Sequence, residues 1–270
     1  MKIDFHLHTC ASFDCESDPV EIIKWAAKKG LHCLAVTDHD NTDGYESLRA
    51  AADRQGIFVI QGVEFTVKRG THFLVYLKPE MPLPQDDLEM IAEIHRRGGL
   101  VGIPHPYRSD TGLIFNHIEK NLYDIDEVDR ILSEVDFIEV FNAKSSSEQN
   151  QKALELAKKY PHLKPIAGSD SHHPASIGAA HTEVHGFKYS TIEGMAKMLR
   201  NLQVKVVVLS ELDESMSSRS VRRAVEGIRR LMVKIKPAVP TAIWRMGKSI
   251  YRGSSNRLAE KRASKSITNK

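Results

Sequence analysis

Through its first two hundred residues the chain alternates short apolar runs with amphipathic stretches. The runs IDFHLHT, HCLAVTDHD, IFVIQGVEFTV, HFLVYL, LVGIPHP, DFIEVFNA, KPIAGSDSH and AHTEV are rich in branched and aromatic residues and read as strands. Between them lie helices with legible ends. The first starts at Ser17-Asp18-Pro19, a capping residue with proline in the first turn, and stops at Gly30. Others are expected over about 43–55, stopping at Gly56, over about 85–97, stopping at Gly98-Gly99, and over about 147–160, stopping at Pro161. Strands followed by helices in repeated order predict a parallel sheet buried on both faces, open or closed into a barrel.

After about residue 210 the pattern changes. Residues 217–236 read as a helix with Val221, Val225, Ile228, Met232 and Ile235 on one side and Arg222, Arg223, Arg229, Arg230 and Lys236 on the others. A shorter stretch over about 241–251 follows Pro237 and Pro240, and the polar, basic end from Gly253 has little to bury and is expected to be disordered. The net charge of +3 hides an asymmetry: residues 211–270 hold fifteen Lys and Arg against five Asp and Glu, leaving 23 basic and 30 acidic side chains for the rest. Two segments are therefore expected, a mildly acidic body over 1–210 and a basic amphipathic extension over 211–270. The extension suits contact with an anionic membrane surface or with nucleic-acid phosphates. Packing of its apolar stripe against the body explains it equally well.

At 270 residues and 41% hydrophobic composition the chain has material for one large core. No apolar run approaches the roughly 18–20 residues that span a bilayer, and MKIDFHLHT turns polar where a signal peptide would stay apolar. Cys10, Cys15 and Cys33 form no CxxC pair and read as reduced thiols of a cytosolic protein.

The chemistry gathers at strand ends. His6 and His8 lie two apart on one strand, so both imidazoles point to one side. Asp38-His39-Asp40, Glu64, His105 and Asp170-Ser171-His172 all fall at or just past the carboxyl ends of expected strands, where α/β folds build their sites. Asp14 follows His8 in a turn of small residues. A lone HxH is more often a pair of ordinary histidines, but these companions are of the kind that hold metal. Imidazoles mixed with carboxylates suit Zn²⁺, Mn²⁺ or Fe²⁺ and not Ca²⁺. At least eight candidate ligands exceed what one tetrahedral ion can use, which predicts two or three ions.

HLHT at 6–9, TDHD at 37–40, GVE at 62–64, PHP at 104–106 and GSDSH at 168–172 together resemble the ordered motifs of the polymerase and histidinol phosphatase (PHP) superfamily. The resemblance covers about two thirds of the chain and implies a distorted seven-stranded (β/α) barrel with a trinuclear metal centre. Carried over by position, it implies that His6, His8, Glu64 and Asp170 hold one ion, and that Glu64 bridges to a second held by His72 and His105. Asp14, His39 and His172 would hold the third, Asp14 standing where many members have histidine. The implied activity is hydrolysis of phosphate esters, mono- or diester, of a small molecule, nucleotide or oligonucleotide. The attacking hydroxide would bridge two ions, with Glu64 and Asp170 as the central carboxylates. Arg108 and Lys144 are candidate phosphate-binding cations, or else solvated surface charges. Asp38, Asp40 and His173 sit beside ligands and are candidates to orient them; His173 is also a candidate for contact with substrate, and Asp40 or His173 for protonation of the leaving group. Asn142 is a candidate strand cap or supporting contact. His181 reads as a structural histidine, and His32, His95, His117 and His162 receive no role. Two other functions stay open: a non-catalytic metal-stabilised module tethered by its basic segment, and a C–N hydrolase of amidohydrolase type, which would place a bridging lysine where Glu64 stands.

Overall fold

A computed structural model describes residues 1–77 and 81–184, and the backbone of a strand at 204–208. Strands β1 (Lys2–Leu7), β2 (Cys33–Val36), β3 (Phe58–Thr66), β4 (His72–Tyr76), β5 (Leu100–Ile103), β6 (Phe137–Asn142), β7 (Lys164–Gly168), β8 (Ala180–Val184) and β9 (Val204–Val208) form one sheet in the order β7-β6-β5-β4-β3-β2-β1-β8-β9. Its helices are α1 (Pro19–Lys28), α2 (Tyr45–Ala52), α3 (Asp87–Arg96), α4 (Leu113–Ile118), α5 (Ile125–Glu134) and α6 (Ser147–Lys159). The compact unit that carries the sheet is Met1–Asp213. The helices expected over 217–236 and 241–251, and with them the basic extension over 211–270, lie outside the described residues.

Capping chemistry sets the helix starts. Asp18 accepts from Val20 N at the head of α1, and Asp86 accepts from Leu88 N and Glu89 N at the head of α3. Ser146 and Gln149 form a reciprocal capping box on α6, as Asp124 and Glu127 do on α5. Neither α4 nor α5 is among the expected helices, and β9 is not among the expected strands.

The sheet curls until its seventh strand returns to the first. Leu7 and Ser171 form a parallel bridge, Asp170 N donates to His6 O at 2.6 Å and His8 N donates to Ser171 O at 2.9 Å. Gly168 is needed at this seam, because a Cβ there would stand 2.3 Å from His6 Cβ. The α/β barrel is thus present, nearly closed, with β8 and β9 continuing the sheet beside β1. The expectation of a parallel sheet needs correction. β3 pairs antiparallel with β4, β4 antiparallel with β5, and β8 antiparallel with both β1 and β9. The reason is connection length: only 67–71 separate β3 from β4, enough for a hairpin and too little for a crossover helix.

Three apolar clusters hold this shape. One draws on strands alone, including Ile3, Phe5, Cys33, Ile60, Tyr76, Leu100, Phe137 and Ile166, and so fills the barrel interior. Cys33, Leu100 and Phe137 are the first residues of their strands, so the plug sits toward the amino ends. The other two lie beneath the helices, one under α1 and α2 and one under α3 to α6. The opposite mouth, at the carboxyl ends, is left for polar side chains.

Candidate metal centre

All nine residues expected as ligands meet at that mouth. β1 delivers His6 and, one residue past its end, His8; both rings are fully buried. Their Nε2 atoms face each other at 3.2 Å, and each is 3.2 Å from Glu64 Oε2. Asp170 Oδ1 lies 3.9 Å from His6 Nε2 and 3.4 Å from His8 Nε2. The other Glu64 oxygen, Oε1, sits 2.7 Å from His72 Nδ1 and 2.8 Å from His105 Nε2. On the far side, Asp14 Oδ2 is 3.1 Å from His172 Nε2 and 3.6 Å from His39 Nε2. His39 also turns its Nδ1 to Glu64 Oε2 at 3.3 Å, so its ring stands between the carboxylates of Asp14 and Glu64.

β4 explains how His72 arrives. Because that strand runs against its neighbours, its first residue, not its last, lies at the mouth, paired with Thr66 of β3. Local backbone conformation is also bent to the purpose. Among the described residues, five non-glycine residues have positive φ, and three of them are Asp40 (52°), His105 (27°) and Asp170 (49°). Such conformations persist only where the surroundings impose them, and they gather at functional sites.

Electrostatics prepares the donors. Burial would raise the Glu64 carboxyl, but His72, His6 and His39 and the hydrogen bond from His105 outweigh it and hold the group well below the usual range. Asp170 is likewise held low against burial by Arg108, Lys144 and His6. Burial, with Arg108 or with Lys144 and His8 nearby, pushes His105 and His172 down to about 3, so both rings are neutral and keep a lone pair. His39 Nε2 and His105 Nδ1 are buried without a hydrogen-bond partner. Clustered carboxylates facing imidazole nitrogens at such distances call for positive charge between them, and divalent ions fit that demand. Among the described residues, four overlapping groups could each hold an ion, their ligand atoms lying within 4.8 Å of one another: His6, His8 and Asp170; His6, Glu64 and His105; His39, Glu64 and His72; and His8, His39 and His172.

The neighbours divide. Arg108 Nη1 contacts Asp170 Oδ2, and its Nη2 donates to Asn142 Oδ1 at 2.6 Å. Lys144 Nζ is 3.6 Å from Asp170 Oδ1 and contacts His172 Nδ1. Both cations are thus at the mouth, Arg108 partly buried and Lys144 exposed. Asp38 supports His8 through Ser12, whose hydroxyl donates to Asp38 Oδ1 at 2.6 Å and lies 3.1 Å from His8 Nδ1. Asp40 turns instead to Thr66, accepting from its N at 2.7 Å and its Oγ1 at 3.2 Å. His173 is exposed and turns away as well, its Nδ1 accepting from Ala175 N to cap a short turn. His181 is buried on β8, its Nε2 3.8 Å from Glu183 Oε1, in keeping with a structural role. Glu139, on β6, is not singled out by the sequence reading although it contacts His6 Nδ1 at 3.2 Å. Its signal is an acid inside the apolar run DFIEVF, which must find a partner if buried.

The profile of the PHP domain family matches residues 4–236. The chain belongs to that family. Among its relatives is "Uncharacterized protein MJ1587" of Methanocaldococcus jannaschii, 30% identical over 153 residues, which are 53% of this chain and 82% of that protein. A protein of Caldicellulosiruptor bescii named "Probable phosphatase" is 27% identical over 210 residues, covering 66% of this chain and 82% of its own length. Among solved structures, PsfC from Pseudomonas syringae superposes with a TM-score of 0.58 at 19% identity, over 86% of this chain and 98% of that one, a likeness of fold. No helix among the described residues is long and apolar enough to cross a membrane.

Proposed function

We propose that the mouth of the barrel holds two or three divalent ions and hydrolyses phosphate esters there, with His6, His8, Asp14, His39, Glu64, His72, His105, Asp170 and His172 as the ligands. That the chain is a hydrolase of phosphoric esters follows from its family; the ion count, the ligand roles and the substrate are the proposal. The observation that carries it is the division of Glu64, one oxygen among His6, His8 and His39 and the other between His72 and His105. A carboxylate so placed suits a bridge between two ions. The donor set favours Mn²⁺, Zn²⁺ or Fe²⁺. Bound ions would supply Lewis acidity toward water and toward the phosphoryl oxygens.

The chain's own residues do the rest. Asp170 and Glu64 would hold the ions, and Arg108, steadied by Asp170 and Asn142, offers its remaining guanidinium N–H groups to a phosphoryl oxygen. Lys144 adds a second positive charge at the same rim. Substrates of this kind are small phosphorylated molecules or nucleotides, as mono- or diesters. Glu64 in the bridging position speaks against a C–N hydrolase with a bridging lysine, and nine competent donors speak against an inert module. The test is hydrolysis of an aryl phosphate and its diester with Mn²⁺, alongside the His6→Ala/His8→Ala protein. Metal-dependent turnover lost in the double variant is expected. Absence of metal-dependent turnover on a broad panel of phosphate esters overturns the reading.

A further inference from the structure

Glu139 stands fully buried in β6, directly behind His6. Its two oxygens have different partners. Oε1 faces His6 Nδ1 at 3.2 Å. Oε2 accepts from two donors, the backbone N of His105 at 2.8 Å and Asn142 Nδ2 at 2.9 Å. A carboxylate only accepts, so a proton at the His6–Glu139 contact must sit on Nδ1. With Nδ1 engaged by Glu139, Nε2 is the nitrogen left to take an ion, and it is the atom directed at His8, Glu64 and Asp170. A Cβ on Gly168 would stand 2.6 Å from Glu139 Oε1, so the backbone itself is shaped to leave the carboxylate room.

We infer that Glu139 is the positioning residue of this centre: it selects the His6 tautomer that can bind metal, and through His105 N and Asn142 it ties the same choice to two further parts of the site. Asn142 Nδ2 is also 3.2 Å from Asp170 Oδ2, so one buried carboxylate sets the register of His6, His105 and Asp170 together. The inference rests on the metal reading above and concerns a residue outside the proposed ligand set.

The isosteric variant Glu139→Gln discriminates. An amide has one accepting atom and one donating group. Its oxygen satisfies the larger number of donors when it faces His105 N and Asn142 Nδ2, which turns the NH₂ toward His6 Nδ1. His6 must then accept at Nδ1 and carry its proton on Nε2, where it blocks coordination. Full-length wild-type and Glu139→Gln proteins are compared for Zn²⁺ stoichiometry and affinity, and for the ¹⁵N shifts of the His6 ring. The expected result is a variant that folds, has lost about 10–100-fold in affinity for one ion and shows His6 protonated at Nε2. Retention of wild-type Zn²⁺ affinity by a folded variant overturns the inference. Should Glu139→Gln not fold, the wild-type Zn²⁺ form decides: a proton on His6 Nδ1 supports the assignment, and a proton on Nε2 refutes it. If the wild-type protein binds no metal, the functional reading fails first, so the two failures are distinguishable.

Discussion

At the scale of single residues, Arg108 is where geometry makes the sharpest demand. Its guanidinium meets a carboxylate oxygen with one arm and an amide oxygen with the other, and its side chain is 18% exposed. A lysine would keep the charge but lose the planar fork. Hydrogen bonds to charged groups are worth about 1.5–3 kcal/mol, which corresponds to roughly 10–100-fold in rate. Arg108→Lys is therefore expected to lower kcat/KM for an aryl phosphate by that factor. Undiminished kcat/KM would remove Arg108 from the phosphate site. The proposed ligands around it are legible in the sequence, because histidines and carboxylates gathered at strand ends are a dense and unusual signal. Glu139 is harder to find there, since one acid in an apolar strand announces that it needs a partner without saying which.

At the scale of elements, the question is what holds the amino end of β4 at the mouth. Thr71, just before His72, is buried and accepts from Asn116 Nδ2 at 2.8 Å. Tyr123 OH donates to Asp87 Oδ1 at 2.8 Å and lies 2.9 Å from Thr71 Oγ1, with the Arg69 guanidinium 4.5 Å over its ring. Tyr123→Phe leaves these buried partners short and is expected to cost about 1–3 kcal/mol. Its pH dependence has a definite sign. Burial raises the Asp87 carboxyl and the Tyr123 hydroxyl opposes that rise. A carboxyl raised on folding makes the native state hold a proton the unfolded chain has lost. Stability then falls as pH rises from the unfolded value, about 3.9, through the folded one. Without the hydroxyl that loss grows, so the penalty in urea unfolding should be larger at neutral pH than near pH 4; equal penalties would show that the Asp87 contact is not what the hydroxyl supplies. Eight strands and four helices can be read from apolar runs and caps. The direction of β4 cannot, because periodicity carries no direction and only the brief 67–71 connection hints at a hairpin. The Asp124–Glu127 box of α5 is present in the sequence, but the many charges of that helix conceal the apolar face formed by Val128, Ile131 and Leu132.

At the scale of the molecule, the mouth joins chain segments that are distant in sequence. The nine proposed ligands come from β1, the turn after it, the ends of β2, β3 and β5, the start of β4 and the end of β7, and the β1–β7 seam itself runs through Asp170 and His6. Ions at the mouth would cross-link all of these, whereas the apolar plug ties together only the opposite end. Metal binding is then a stability term for the whole barrel, following mass action: about 2.7 kcal/mol for an ion present at a hundred times its Kd. In a domain of this size each kcal/mol moves the melting temperature by roughly 2–4 °C. Chelation with EDTA is accordingly expected to lower the Tm by about 5–10 °C, and excess Mn²⁺ or Zn²⁺ to restore it. The loss should also be localised: backbone amides at the carboxyl ends of β1, β2, β3 and β7 should exchange faster with solvent after chelation, and those beside Ile3, Tyr76 and Phe137 should not. A Tm indifferent to chelator, in protein shown to have carried metal beforehand, would mean that the barrel closes without its ions and that the strained backbone at His105 and Asp170 is held by protein contacts alone.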